Sequence, residues 1–292
     1  MIFTLASDHG VTIEGVSAYP KEVTAQMVYN FLKGGAGINV LAKHVGARVI
    51  VVDMGVSQDL KPNSKLINRK INYGTKNMAS EQAMTKIEAI RAIETGIDLV
   101  FNELRNGIDI IGTGEMGIGN TTSASAITAC ITKKTLEEIT GRGTGLDDPG
   151  LKKKIKIIKK ALSINKPDSA DPINVLSKVG GFEIAGLTGI ILAAASKKIP
   201  VVIDGFISSA AALIAYQIEP KAKEYMIAAH KSAEGGHKYI LEYIGLKPLL
   251  DLSLRLGEGT GAALGIGLAD AAIKILTQMA TFDSAKVSEG KK

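Results

Sequence analysis

The chain has 292 residues with a formal net charge of +6, one cysteine and no tryptophan. That length buries a core without staples, and Cys130 alone excludes an internal disulfide; aromatics at 4% leave little for the stacking platforms of single-stranded nucleic acid. The opening MIFTLASDHG lacks a basic, apolar secretion signal, and no apolar run reaches spanning length without Gly or charge, so a soluble cytoplasmic protein with no membrane partner is expected.

In chain order, a β-branched run at Ile2 to Ala6 predicts a strand that ends in SDHG, followed by a helix over Lys21 to Leu32. A second strand, Arg48 to Val52, ends in DMGV and precedes a helix over Glu81 to Glu94. The third, Ile108 to Gly112, runs into GTGEMGIGNTT and a helix over Thr121 to Ile131. Helices follow at Leu151 to Leu162 and Gly186 to Ala195, then a strand at Val201 to Ile203 that ends in DGFISS. Continuous apolar strands alternating with helices predict a doubly wound, mainly parallel α/β sheet, whose ligands bind beyond the carboxyl ends of the strands. From Pro220 the pattern turns helical through Tyr243, and a long Gly- and Ala-rich helix is expected from Gly259 to Met279. The expected organisation is a large α/β nucleotide-binding domain over 1–220, a smaller helical subdomain over 221–258, and a helix returning to the large domain over 259–292, with the final SEGKK frayed.

Three segments carry candidate chemistry. The run from Gly112 to Thr122 leaves a strand and opens a helix, so free amides and the helix dipole converge where a phosphate would bind. A tight turn would use the same glycines, and a nicotinamide-dependent oxidoreductase would share the loop, although the acidic residue of a dinucleotide fingerprint is missing. Glu115 conflicts with a pure phosphate cradle unless it meets a hydroxyl or a cation. The second segment, GRGTGLDD, leads into a lysine-rich helix, Lys152 to Lys160, whose spacing predicts a solvated face rather than a nucleic-acid site. In the third, Arg255 to Ala263, Glu258 stands between two glycines at the start of an apolar helix, which suits either a general base of raised pKa or a helix cap. His9, His230 and His237 show no metal-ligand spacing, so no metal is expected, and Ser-Asp-His in an extended chain is not a catalytic triad.

Taken together and in order, ASDHGV, GGAGINVLAKHVGA, GEMGIGNTT, GRGTGLDD, GGFEIAGLTG, DGFISSAAAL, AHKSAEGGH, LRLGEGTGAALG and ATFDSA resemble the nicotinate-nucleotide:dimethylbenzimidazole phosphoribosyltransferase family of cobamide assembly. The resemblance implies transfer of phosphoribose from nicotinate mononucleotide to 5,6-dimethylbenzimidazole or a related base. The products are α-ribazole 5′-phosphate and nicotinate, used in the nucleotide loop of cobalamin, and the enzyme is a homodimer without a cofactor. It also implies that Glu258 is the general base, and that Gly117, Ile118, Gly119, Asn120 and Thr121 hold the phosphate with Lys154. Glu115 would then lie by the ribose or nicotinate, Gly205 and Phe206 would border the nucleotide, and Ser232, Leu256, Lys21 and Tyr29 would form the acceptor pocket. Lys21 and Tyr29 are larger or more polar than a plain dimethylbenzimidazole slot requires, which leaves another base open. The chain begins inside the first strand, later than the family's members do. The alternative is therefore a shortened, catalytically weak relative that holds nucleotide or base as a partner subunit.

Overall fold

The computed structural model describes residues 1–288 and 290, so Glu289, Lys291 and Lys292 of the closing SEGKK lie outside the described residues. Strand β1 (Ile2–Ser7) is buried along its whole length. Helices α1 (Val23–Lys33) and α2 (Gly37–His44) lead to β2 (Val49–Gly55), and β3 (Leu66–Asn68) follows. Helix α3 (Lys86–Glu103) crosses to β4 (Ile111–Met116). Five helices separate β4 from β5 (Val201–Ile203): α4 (Asn120–Thr132), α5 (Leu136–Ile139), α6 (Asp148–Asn165), α7 (Pro172–Val179) and α8 (Phe182–Ser196). Helix α9 (Phe206–Ile218) leads to β6 (Met226–Ala228), and α10 (Gly236–Ile244), α11 (Thr260–Gln278) and α12 (Phe282–Ala285) follow.

The six strands form one sheet in the order β3-β2-β1-β4-β5-β6, and every pairing is parallel. Alternate residues of β1 feed two cores. Phe3 and Leu5 pack with the residues of α3, α4, α8 and α9, whereas Ile2 and Ala6 pack with those of α1, α2 and α11. The fold is therefore the expected doubly wound parallel α/β sheet, with helices on both faces. Chain order reverses between β1 and β4, which opens a crevice at their carboxyl ends.

Several boundaries differ from the sequence expectation for local reasons. Strand β4 begins at Ile111 and runs through Met116, so Gly114 and Glu115 belong to a strand and not to the turn. Helix α3 starts after Thr85, whose side chain accepts from Glu88 N while Glu88 reciprocates, so a capping box beyond Glu81 decides the start. Strands β3 and β6 read Leu-Ile-Asn and Met-Ile-Ala, without the β-branched run that marks β5, and β6 falls in the stretch from Pro220 where helix was expected. Helix α8 is buried nearly all round, Glu183 included, and begins at Phe182, ahead of the expected Gly186. It meets α3 backbone to backbone: a Cβ on Gly96 would lie 1.9 Å from Gly186 O, and one on Gly189 would lie 1.9 Å from Ile93 O. Only glycine permits that approach.

Within residues 221–258, α10 packs on α9 and α4, and β6 joins the main sheet beside β5. Helix α11 has the length and mean hydropathy, 1.3, to cross a membrane by composition alone, although its glycines and charges break the run in the sequence. Its first half is buried against β4, β5 and α2, and further along Lys274 pairs with Asp270 across one turn.

Candidate functional site

A cavity of about 470 Å³ opens at the carboxyl ends of β4, β5 and β6. Its wall takes Glu115 from β4, Gly117, Ile118, Asn120 and Thr121 from the turn into α4, and Gly205 and Phe206 after β5. His230, Ser232 and Glu234 come from the loop after β6, and Ser253 to Gly257 from the loop before α11. Of the residues expected at a site, these include Glu115, Gly117, Ile118, Asn120, Thr121, Gly205, Phe206, Ser232 and Leu256.

The turn after β4 is shaped by Gly119, which caps α4 at φ 91°, a conformation that disfavours any side chain. Gly119 is not one of the wall residues; a Cβ there would meet Thr12 at 2.8 Å beneath the turn. Ile118 N donates to Thr24 Oγ1 at 3.1 Å, which ties the turn to α1. Lys154, fully buried in α6, reaches Thr121 Oγ1 at 2.7 Å. Burial lowers the Lys154 ammonium to about 8, and the Glu234 carboxylate opposes the shift. A cation thus stands directly behind the first turn of α4, where the helix dipole already favours an anion.

Glu115 projects from the strand and is tied to the Asn120 amide, which donates to it. Burial, helped by the charges of Asp204 and Glu183, pushes its carboxyl up to about 8. At neutral pH it is a carboxylic acid, so it does not repel an anion at the neighbouring turn, and it can donate a hydrogen bond.

Glu258 lies between Gly257 and Gly259, and all three positions are left-handed, with φ of 77°, 64° and 100° in chain order. That conformation costs a non-glycine residue about 1–2 kcal/mol and is held by its surroundings. Thr4 Oγ1 donates to Glu258 O at 3.0 Å, Gly259 N donates to Asp204 Oδ2 at 3.2 Å, and Ala262 N donates to Asp204 Oδ1 at 2.9 Å. Gly114 gives the loop room, since a Cβ there would lie 2.3 Å from Glu258 O. The carboxylate accepts from Ile38 N at 3.0 Å, at the start of α2. Burial raises the Glu258 pKa, against the amides of Ile38 and Gly37. The sequence left base and cap as alternatives; the geometry places this side chain at the N-terminus of α2, not of the helix that Glu258 itself precedes. It is next to the wall residue Gly257 rather than in the wall.

Lys21 and Tyr29 are not among the wall residues described. Lys21 is exposed ahead of α1, and the Tyr29 hydroxyl accepts from Lys61 N at 3.0 Å. Other residues arrive that no local spacing announced. His237 Nδ1 accepts from Ser232 N at 2.8 Å, so its hydrogen is on Nε2 and is donated to Ser209 Oγ at 2.8 Å. Burial lowers the His237 pKa to about 3, consistent with that neutral tautomer, and the ring sets the Ser232 backbone on the wall. Asp204 caps α11, with its pKa raised by burial against the His230 charge, 3.8 Å away. Glu234 accepts from Gly143 N at 3.0 Å and thereby fixes the second glycine segment at the cavity edge.

A family profile described as phosphoribosyltransferase matches residues 1–287. The nicotinate-nucleotide–dimethylbenzimidazole phosphoribosyltransferase of Geobacter metallireducens is 59% identical over 290 residues, covering 99% of this chain and 82% of that protein. The enzyme of the same name from Desulforudis audaxviator is 57% identical, with the same coverage. The crystal structure of CobT from Thermus thermophilus superposes with a TM-score of 0.95 at 44% identity, covering 99% of this chain and 86% of that one.

Proposed function

We propose a reaction for this chain from one premise: it belongs to the nicotinate-nucleotide–dimethylbenzimidazole phosphoribosyltransferase family. It transfers the 5-phosphoribosyl group of nicotinate mononucleotide to a ring nitrogen of 5,6-dimethylbenzimidazole or a related base. The products are α-ribazole 5′-phosphate and nicotinate, in assembly of the cobalamin nucleotide loop. The observation that carries the site is the buried Lys154 ammonium, 2.7 Å from Thr121 Oγ1 behind the first turn of α4. That turn and cation hold the 5′-phosphate, with Gly117, Ile118, Gly119, Asn120 and Thr121 shaping the cradle.

The neutral Glu115 carboxyl faces the ribose or the departing nicotinate, and Gly205 and Phe206 border the nucleotide. The acceptor nitrogen attacks the anomeric carbon opposite the pyridine, the C–N bond to nicotinate breaks, and the pyridinium charge is quenched by the bonding pair. Configuration at that carbon inverts. The proton on the second nitrogen of the acceptor goes to Glu258, whose burial raises its basicity and whose backbone fixes its aim. Ser232 and Leu256, with Lys21 and Tyr29, border the acceptor.

The compartment is the cytoplasm and the working form a homodimer; the exposed apolar side chains Ile273, Ile275 and Leu276 of the outer part of α11, with Met279 just beyond it, support a covered surface there. Light scattering should return twice the chain mass. Incubation with nicotinate mononucleotide and a panel of benzimidazoles, purines and phenols should release nicotinate together with a ribosylated base. Silence across the panel, with nucleotide still raising the melting temperature, would instead identify a binding subunit.

A further inference from the structure

His9 leaves β1 into the crevice and is buried, as are both of its partners. Its Nδ1 lies 3.1 Å from Ser123 Oγ in the first turn of α4, and its Nε2 lies 2.7 Å from Glu183 Oε1 in the first turn of α8. The ring occupies a socket walled by glycines. A Cβ on Gly181 would stand 2.4 Å from Cε1, one on Gly117 would stand 3.4 Å from Nε2, and one on Gly119 would stand 3.5 Å from the His9 Cβ. Gly117 and Gly119 belong to the turn between β4 and α4, so His9 packs directly against that turn.

The ring therefore makes a hydrogen bond at each nitrogen, one to the Glu183 carboxyl and one to Ser123 Oγ, which itself lies 3.3 Å from Gly180 O. Glu183 Oε2 is buried with no partner among the described residues, so the His9 ring is what fixes this carboxyl. Three elements, β1, α4 and α8, are thereby joined through one ring directly below the anion turn.

We propose that His9, clamped between Ser123 and Glu183, is a positioning residue that holds the turn at residues 117–119 in its phosphate-binding shape. It touches no substrate and acts through the backbone it supports. This inference rests on the phosphate reading of that turn. A turn held rigid before binding loses little conformational freedom when the phosphate arrives, so loosening it weakens phosphate affinity and leaves chemistry at saturation in place.

The experiment compares nicotinate mononucleotide with nicotinate riboside, which lacks the phosphate, in the parent and in His9→Ala, Glu183→Ala and Glu183→Gln. His9→Ala and Glu183→Ala should raise KM for the mononucleotide about tenfold or more, the fold-change of one lost charge-assisted hydrogen bond, with kcat and the riboside KM close to parent. Glu183→Gln should restore near-parent KM, because an amide both donates and accepts and can therefore keep a hydrogen bond to Nε2 and hold the ring in place. If His9→Ala does not fold, Ser123→Ala carries the same expectation through the other end of the clamp. A parent-like mononucleotide KM in folded His9→Ala, or equal rises for both substrates, overturns the proposal. Lys154→Met separates the two levels: if it too spares the mononucleotide KM, the phosphate reading has failed; if it raises that KM while His9→Ala does not, only the clamp has.

Discussion

The two ends of the cavity are built differently. The end assigned to the phosphate is made from one contiguous turn, braced by Thr24 and Lys154 and by the bond from Asn120 to Glu115. The end assigned to the acceptor is drawn from separate loops. Leu256 there is 61% exposed, and Lys21 and Tyr29 stand off the described wall. A braced electrostatic site should discriminate sharply, whereas an open one drawn from separate loops should tolerate several bases of similar shape. Between the two ends stand Glu115 and Glu258, whose raised pKa values come from burial at the junction.

That contrast can be broken most severely at the junction. Glu258→Gln should lower kcat about 10² to 10⁴-fold, the usual worth of a general base, and leave the nicotinate mononucleotide KM near parent. In the parent, the rate should rise with pH through a value above the ordinary carboxylate range, since Glu258 must be ionised to take the proton and burial holds its pKa up. A pH-independent rate across that region would remove Glu258 from the role. At the phosphate end, Lys154→Met should raise the mononucleotide KM about tenfold to a hundredfold, read from steady-state kinetics, and spare the acceptor KM.

A smaller effect concerns stability. Glu115 is protonated in the folded chain up to about pH 8 but ionises near its ordinary value when unfolded. Between about pH 4.5 and 8 the folded state therefore binds more protons, and stability falls as pH rises through that window. Glu115→Gln should flatten the decline in melting temperature across it; an unchanged slope would mean that Glu115 ionises normally. The least change is expected at the open end, where Tyr29→Phe should alter the KM of any one base by only a few-fold, judged by the worth of an exposed polar contact. A selective loss of one base there would show that the acceptor end is more closely built than its exposure suggests.

The same contrast explains what could be read from the sequence. Strands β1, β2, β4 and β5 were legible because their apolar runs are buried, and the anion turn because its glycines, Asn120 and Thr121 are contiguous. Glu258 was legible as a carboxylate pinned between glycines, but not its partner, since Ile38 N is 220 residues away in sequence. Glu115 was misplaced into the turn because Gly112 and Gly114 look like loop residues. In the fold those glycines keep β4 free of side chains, so that the Glu258 loop can cross Gly114. His9 and His237 gave no signal, because their partners Glu183, Ser123 and Ser209 are set by the packing of α4, α8 and α9 and not by spacing along the chain.

Transfer of phosphoribose from the turn to a base deprotonated by Glu258 can be followed by single-turnover kinetics, with enzyme in excess over nicotinate mononucleotide and with or without 5,6-dimethylbenzimidazole. The parent should release nicotinate only when the base is present, with α-ribazole 5′-phosphate formed in equal amount, and Glu258→Gln should bind the nucleotide normally but transfer at least about a hundredfold more slowly, the lower bound for a lost general base. Nicotinate release without acceptor, or equal transfer rates in the parent and Glu258→Gln, would contradict it.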